Sequence, residues 1–198
     1  SNCEARVTAV DTINSKNSPY YAVYPFEMNQ STILLTVVNP SFEIGTLDGW
    51  TSDNGNFIRA TPATYSDNAS TTHSGSYMAL AGVTSLDVLR QNIDVSAYST
   101  EIDAGGVTTQ LGVWTITDTS DKGRLYLNFL DGSLVDLGSA AIGTQFADDN
   151  TAWIKKTLMS AVPVGTRYIR IGLEGQLAGG GSVCQAYFDD VTLELILA

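Results

Sequence analysis

From Asn39 onward the chain alternates between apolar and polar positions. In Leu125-Tyr126-Leu127-Asn128-Phe129 every second residue is apolar, and Tyr168-Ile169-Arg170-Ile171-Gly172-Leu173 repeats the pattern with Ile169, Ile171 and Leu173. A period of two is what a strand needs to bury one face and wet the other. The same pattern predicts strands over 57–61, 76–81, 86–93, 107–117, 123–130, 153–159, 167–173 and 185–195. Between them lie turn sequences: Asp48-Gly49, Ser74-Gly75, Asp121-Lys122-Gly123, Asp131-Gly132 and Pro163-Val164-Gly165. No long stretch carries a 3.6-residue apolar period, and 95–102 reads as a loop with one helical turn. Many short strands without helices predict an all-β fold, an antiparallel sandwich or jelly roll.

The last strand, 185–195, carries the most pointed expectation. Val191, Leu193 and Leu195 alternate with Thr192 and Glu194, and carrying that phase backward puts Asp189 on the inner side. A carboxylate there is costly unless it is hydrogen-bonded, paired or bound to a metal. The segment Asn39-Pro40-Ser41-Phe42-Glu43 is the expected partner.

Residues 1–38 read differently. Ala5 to Val10 alternates weakly, Asn14-Ser15-Lys16-Asn17-Ser18-Pro19 is a loop by composition, and 31–38 is a good strand. Tyr20-Tyr21-Ala22-Val23-Tyr24-Pro25-Phe26 is aromatic and broken by proline, which suits an edge strand or an extended arm. Two readings stay open: extra strands for the sandwich, or an arm that adds a strand to a partner chain. The chain is accordingly divided into 1–38, an arm whose Tyr20, Tyr21, Tyr24 and Phe26 serve assembly, and 39–198, the sandwich.

Composition narrows the function classes. With 10 basic against 21 acidic residues the net charge is −11, and the basic residues are scattered, which excludes a phosphate-binding footprint and with it nucleic acid. No apolar run approaches the length that spans a membrane, so no insertion is expected. Cys3 and Cys184 are the only cysteines, enough for one disulfide or two thiols, without a framework or zinc spacing. No signal peptide is visible; either one was removed or the chain never had one, and a start at Ser1-Asn2 fits loss of an initiator methionine and cytoplasmic synthesis.

An ordered set of motifs then carries a resemblance. Asn39-Pro40-Ser41-Phe42-Glu43, Gly49-Trp50, His73-Ser74-Gly75-Ser76-Tyr77, Val162-Pro163-Val164-Gly165-Thr166 before Ile169-Arg170-Ile171, and Tyr187-Phe188-Asp189-Asp190-Val191 follow one another along 39–196. Together they resemble the galactose-binding-like jelly rolls, which include many carbohydrate-binding modules. The resemblance implies a fold and leaves the ligand open, because this fold hosts many functions. A narrower likeness joins Gln91-Asn92-Ile93-Asp94-Val95-Ser96, Glu101-Ile102-Asp103-Ala104-Gly105 and 123–131 to jelly-roll modules on bacteriophage virion proteins. The opening Glu4-Ala5-Arg6-Val7-Thr8 is similar to short β segments in phage tail and capsid-associated proteins.

The resemblance implies a structural calcium between Glu43 and Asp189, completed by loop carbonyls near His73-Ser74-Gly75. The alternative is that Asp189 accepts hydrogen bonds from backbone N–H groups around Ser41 and Phe42. Of the three tryptophans, Trp50 and Trp153 read as structural. Trp114, on the outward face of its strand, either pairs with outward Tyr126 as a stacking platform for a sugar ring or is buried under a neighbouring strand or arm. His73 is the single histidine, no Gly-x-Ser-x-Gly elbow exists, and no enzyme is expected. The expected function is a non-catalytic decoration protein of a phage capsid or tail, contacting other virion proteins, itself and surface glycans. The alternative is a secreted bacterial carbohydrate-binding module.

Overall fold

The computed structural model describes residues 30–62, 71–117, 120–147, 152–178 and 180–198. In chain order its strands are β1 (Ser31–Leu35), β2 (Thr51–Ser52), β3 (Ile58–Ala60), β4 (Met78–Gly82), β5 (Leu86–Asp94), β6 (Thr108–Thr117), β7 (Lys122–Leu130), β8 (Asp136–Ile142), β9 (Ile154–Ala161), β10 (Tyr168–Gln176) and β11 (Cys184–Leu197). One six-stranded sheet runs β3-β4-β11-β6-β9, with β1 also on β11; a five-stranded sheet runs β2-β5-β10-β7-β8. Every pairing is antiparallel. The two sheets enclose a core to which β5 gives Leu89 and Ile93, β7 Leu125, Leu127 and Phe129, β10 Ile169, Ile171 and Leu173, and β6 Leu111 and Val113. The all-β sandwich expected from the alternation is therefore the fold.

The last strand holds the larger sheet together. One edge of β11 pairs with β6 along most of its length, and the other pairs first with β4 and then with β1. Its inner set changes phase midway. Cys184, Ala186 and Phe188 lie in the main core, and so do Val191, Leu193 and Leu195. The two sets differ by one residue in parity, so a bulge must lie between them. The register against β6 slips between Asp189 and Thr192, and Asp190 adopts φ +45°. This is an extra residue in one strand of an antiparallel pair. It corrects the inner placement expected for Asp189: the residue shares the outward side with Tyr187, where it is buried by the loop that crosses the sheet.

That outer side has its own small apolar cluster. Ala60, Met78, Leu80, Ile116 and Tyr187 are buried there, with Ile58 and Trp153 packed against them. The expected helical turn is a 3-10 turn over Ser96–Tyr98 that runs into α1 (Ser99–Ala104), which buries Ile102. The strands β2 and β8 were not expected. The sandwich also begins before Asn39: β1 pairs Ser31–Leu35 with the end of β11, and Leu35 reaches the core. The rest of the expected arm, with Tyr20, Tyr21, Tyr24 and Phe26, lies outside the described residues, as does Cys3. Cys184 is a buried thiol in the core, pushed up to about 12 by burial and then by nearby Asp121.

Candidate functional site

The first motif folds on itself. Asn39 Oδ1 accepts from Ile44 N, while its Nδ2 donates to Ile44 O. Asn39 O accepts from Trp50 Nε1, and Pro40 O accepts from Val191 N. Asn39 and Phe42 take φ +50° and +59°, and this tight path turns Phe42 into the core, 5.5 Å from the Trp50 ring. Trp50 is 8% exposed, so the structural reading of that residue agrees with its position. Arg59 lies over the Tyr77 ring and donates to Phe42 O and Glu43 O, fixing the end of the motif.

Glu43 and Asp189 both grip the loop 73–77. Glu43 Oε1 accepts from Ser76 N at 2.9 Å and Tyr77 N at 2.8 Å. Asp189 Oδ2 accepts from His73 N at 3.0 Å and Ser74 N at 3.1 Å, and Oδ1 accepts from Asp190 N. Gly75, at φ +57°, makes the loop possible, because a Cβ there would meet Glu43 Oε1 at 2.5 Å. The expectation of backbone N–H partners for Asp189 is right in kind, but the donors are His73 and Ser74 rather than Ser41 and Phe42. These N–H groups point their positive ends at the carboxylates, where a calcium ion would need oxygen donors. The donor set as arranged therefore does not fit a cation between Glu43 and Asp189, and among the described residues no group of three or more His, Cys, Asp or Glu side chains gathers elsewhere. Burial raises the Asp189 carboxyl to about 7, helped by Asp190 and opposed by the N–H bonds.

Above Asp189, on the outer face of the larger sheet, His73 stacks on Trp114 with ring centroids 3.9 Å apart. Trp153 meets His73 edge-on and donates from Nε1 to Thr71 O. Asp190 binds His73 Nδ1 at 2.5 Å and Ser74 Oγ at 2.7 Å. Serine and histidine thus sit side by side on one carboxylate. A nucleophilic relay needs them in series, with the imidazole between hydroxyl and carboxylate, so this cluster is no Ser-His-Asp triad. One face of Trp114 is taken by His73.

Trp114 and Tyr126 do not form one platform. Trp114 is on β6 in the larger sheet and Tyr126 on β7 in the smaller one, so they face outward on opposite sides of the sandwich. Around Tyr126 the smaller sheet presents a polar surface. Its hydroxyl donates to Glu174, and Arg124 Nη1 donates to that hydroxyl. Arg124 Nε stands 3.5 Å from Glu174 Oε1 without hydrogen-bond geometry. Burial, then the bond to Glu174, pushes the Tyr126 phenol above its ordinary range. Across the strands Gly172 lies between Arg90 and Tyr126, and Arg170 lies between Asn92 and Asn128. Gly172 leaves the floor low: a Cβ there would come within 3.2 Å of Tyr126 Cβ and Val88 Cγ1. Beside this floor is a depression of about 290 Å³ lined by Thr51, Asp53, Arg90, Asn92 and Arg170 among others.

Of this surface only Tyr126 was expected as a site residue. Arg90, Asn92, Arg124, Arg170 and Glu174 were missed, although the strand alternation that assigned Ile169, Ile171 and Leu173 inward assigns Arg170 and Glu174 outward.

No family model matches the chain, and no curated protein matches it by sequence. Solved structures do match. The enzymatically active domain of tailspike protein 4 from bacteriophage CBA120 is similar at TM-score 0.54 and 19% identity over 80% of this chain, which spans 21% of that one. A Stig cyclase from Fischerella sp. TAU aligns at TM-score 0.60 and 18% identity, covering 85% of this chain and all (100%) of its own. The CBM22-1 xylan-binding domain of Xyn10C from Paenibacillus barcinonensis aligns at 0.52 and 13%, covering 80% of this chain and 92% of its own. These likenesses establish the fold, a two-sheet antiparallel β-sandwich of the jelly-roll type.

Proposed function

We propose that this chain, folded as a galactose-binding-like jelly roll, is a non-catalytic glycan-binding sandwich that works as a surface module of a bacteriophage particle. The observation that carries the glycan half is the outer face of the five-stranded sheet. Tyr126 is anchored through its hydroxyl to Glu174, which fixes its ring, while Arg90, Asn92, Asn128 and Arg170 surround the low floor at Gly172. An aromatic ring with a few fixed polar groups around a depression is how proteins hold a sugar ring. The fold of a xylan-binding domain supports this reading. The virion half is supported by the jelly-roll likeness in 91–131 and by the tailspike neighbour. The xylan-binding neighbour equally favours the alternative, a secreted carbohydrate-binding module.

The glycan half is tested on a broad glycan array with the wild-type chain and Tyr126→Ala. Specific binding by the wild type that falls about tenfold or more in the variant is the expected result. Binding that survives Tyr126→Ala and is lost in Trp114→Ala would move the site to the other face. The virion half is tested by native mass. Self-association of the full chain, absent from a chain beginning at Gln30, is expected if 1–29 is an assembly segment.

A further inference from the structure

We infer that the glycan taken by the five-stranded face carries a carboxylate, and that Arg170 receives it; this rests on the glycan-binding reading just given. The geometry begins with the arginines. Among the described residues Arg90 is paired with Asp53 at 2.6 Å, Arg167 with Asp103 at 2.6 Å, and Arg124 stands beside Glu174. Arg59 is spent on two backbone carbonyls and a tyrosine ring. Arg170 differs from all of them. Its Nε donates to Asn92 Oδ1 at 2.8 Å, and among the described residues no acid or carbonyl meets its terminal amino groups. In a protein of net charge −11, an arginine left facing a neutral amide calls for a reason.

The position supplies it. Arg170 and Arg90 line the same depression of about 290 Å³, at the small end for a ligand pocket and suited to a single sugar ring. Asn92 holds the guanidinium by its Nε edge. The free terminal edge is a planar pair of donors that matches a carboxylate bidentately. Arg90 beside it is already neutralised by Asp53, so one negative group is called for. The overall charge sharpens the ligand class. A densely charged polyanion would meet the field of eleven excess negative charges, whereas one carboxylate in a mostly neutral glycan feels mainly its immediate neighbours, since salt screens beyond roughly 8 Å. The ligand class is therefore a glycan with a sparse uronate or another single sugar acid.

The experiment uses the full chain on a broad array of bacterial, plant and animal glycans, printed once as such and once after methyl esterification of carboxylates. Wild type, Arg170→Gln and Tyr126→Ala are compared. The expected result is that the leading binders carry carboxylates, and that esterification weakens them roughly tenfold or more. Arg170→Gln should lose the same factor and become indifferent to esterification, while keeping the wild-type thermal midpoint. Binders that are neutral or sulfated, unaffected by both esterification and Arg170→Gln but lost in Tyr126→Ala, would overturn the carboxylate inference and leave the glycan-binding reading standing. No binder at all would overturn both. The esterification comparison is made on the wild-type protein, so the inference can fail even if a variant misfolds.

Discussion

Single carboxylates do much of the local organisation. Asp87 is fully buried and accepts from Ser52 Oγ, Asn54 N, Asn56 N and Val88 N. Burial alone would raise its pKa, but these bonds together bring it below the ordinary value. Replacing it with alanine strands several N–H groups, and Asp87→Ala should cost about 3 kcal/mol in urea unfolding. Because the folded pKa is depressed, its contribution is present above the unfolded value of 3.8 and is lost as pH falls below it. Asp189 has the opposite sign. Its folded pKa of about 7 exceeds 3.8, so the folded state holds the extra proton between the two. Its contribution is fully present below pH 3.8 and is lost as pH rises through about 7. The thermal midpoint of the wild type, minus that of Asp189→Asn, should therefore fall on the order of 5 °C between pH 5 and pH 8. Such roles were half legible. That Asp189 needed a partner followed from its place in an apolar strand, but the donors come from a loop more than a hundred residues away, and strand periodicity carries no record of such a contact.

At the scale of elements, the strands that alternate cleanly were found, and the errors have physical causes. β2 is two residues long, too short for a period, and β8 (Asp-Leu-Gly-Ser-Ala-Ala-Ile) is an edge strand with little alternation. The bulge in β11 defeated the phase argument, because one inserted residue exchanges inside for outside and leaves each half of the strand looking regular. The outward placement of Trp114 agrees with the structure, and the loop residue His73 covers one of its faces. The pairing of Trp114 with Tyr126 is ruled out by topology: strands consecutive in sequence need not be neighbours, and β6 and β7 belong to different sheets. β1 offers a test. A chain starting at Gln30 keeps β1, whereas one starting at Asn39 loses five cross-strand partners and bares the edge of β11. It should melt markedly lower or aggregate in a thermal scan followed by light scattering. The loop clamped by Glu43 and Asp189 gives another test. Neither calcium nor EDTA should shift the melting temperature, and a clear rise with calcium would mean that the loop turns its carbonyls inward.

For the whole molecule, the two outer faces have become different surfaces. Among the described residues the larger sheet is capped by a loop, its aromatic rings engaged with one another, while the smaller one is open and polar. The fold was legible because alternation and turn residues recur along most of the chain; which face binds was not, because it depends on the order of strands in space. One further property follows from the way β1 meets β11. Ser31 lies opposite Leu197, so the entrance and the exit of the sandwich are side by side. Tension applied between these two points would open the pair like a zip, one rung at a time, at low force. Tension between Ser31 and a ligand gripped on the five-stranded sheet would instead run through the body of the sandwich and load many rungs together. A module tethered by its N-terminal side and pulled by what it holds would thus be mechanically far tougher than the same module pulled by its two ends, a contrast that single-molecule stretching from the two pairs of attachment points would reveal.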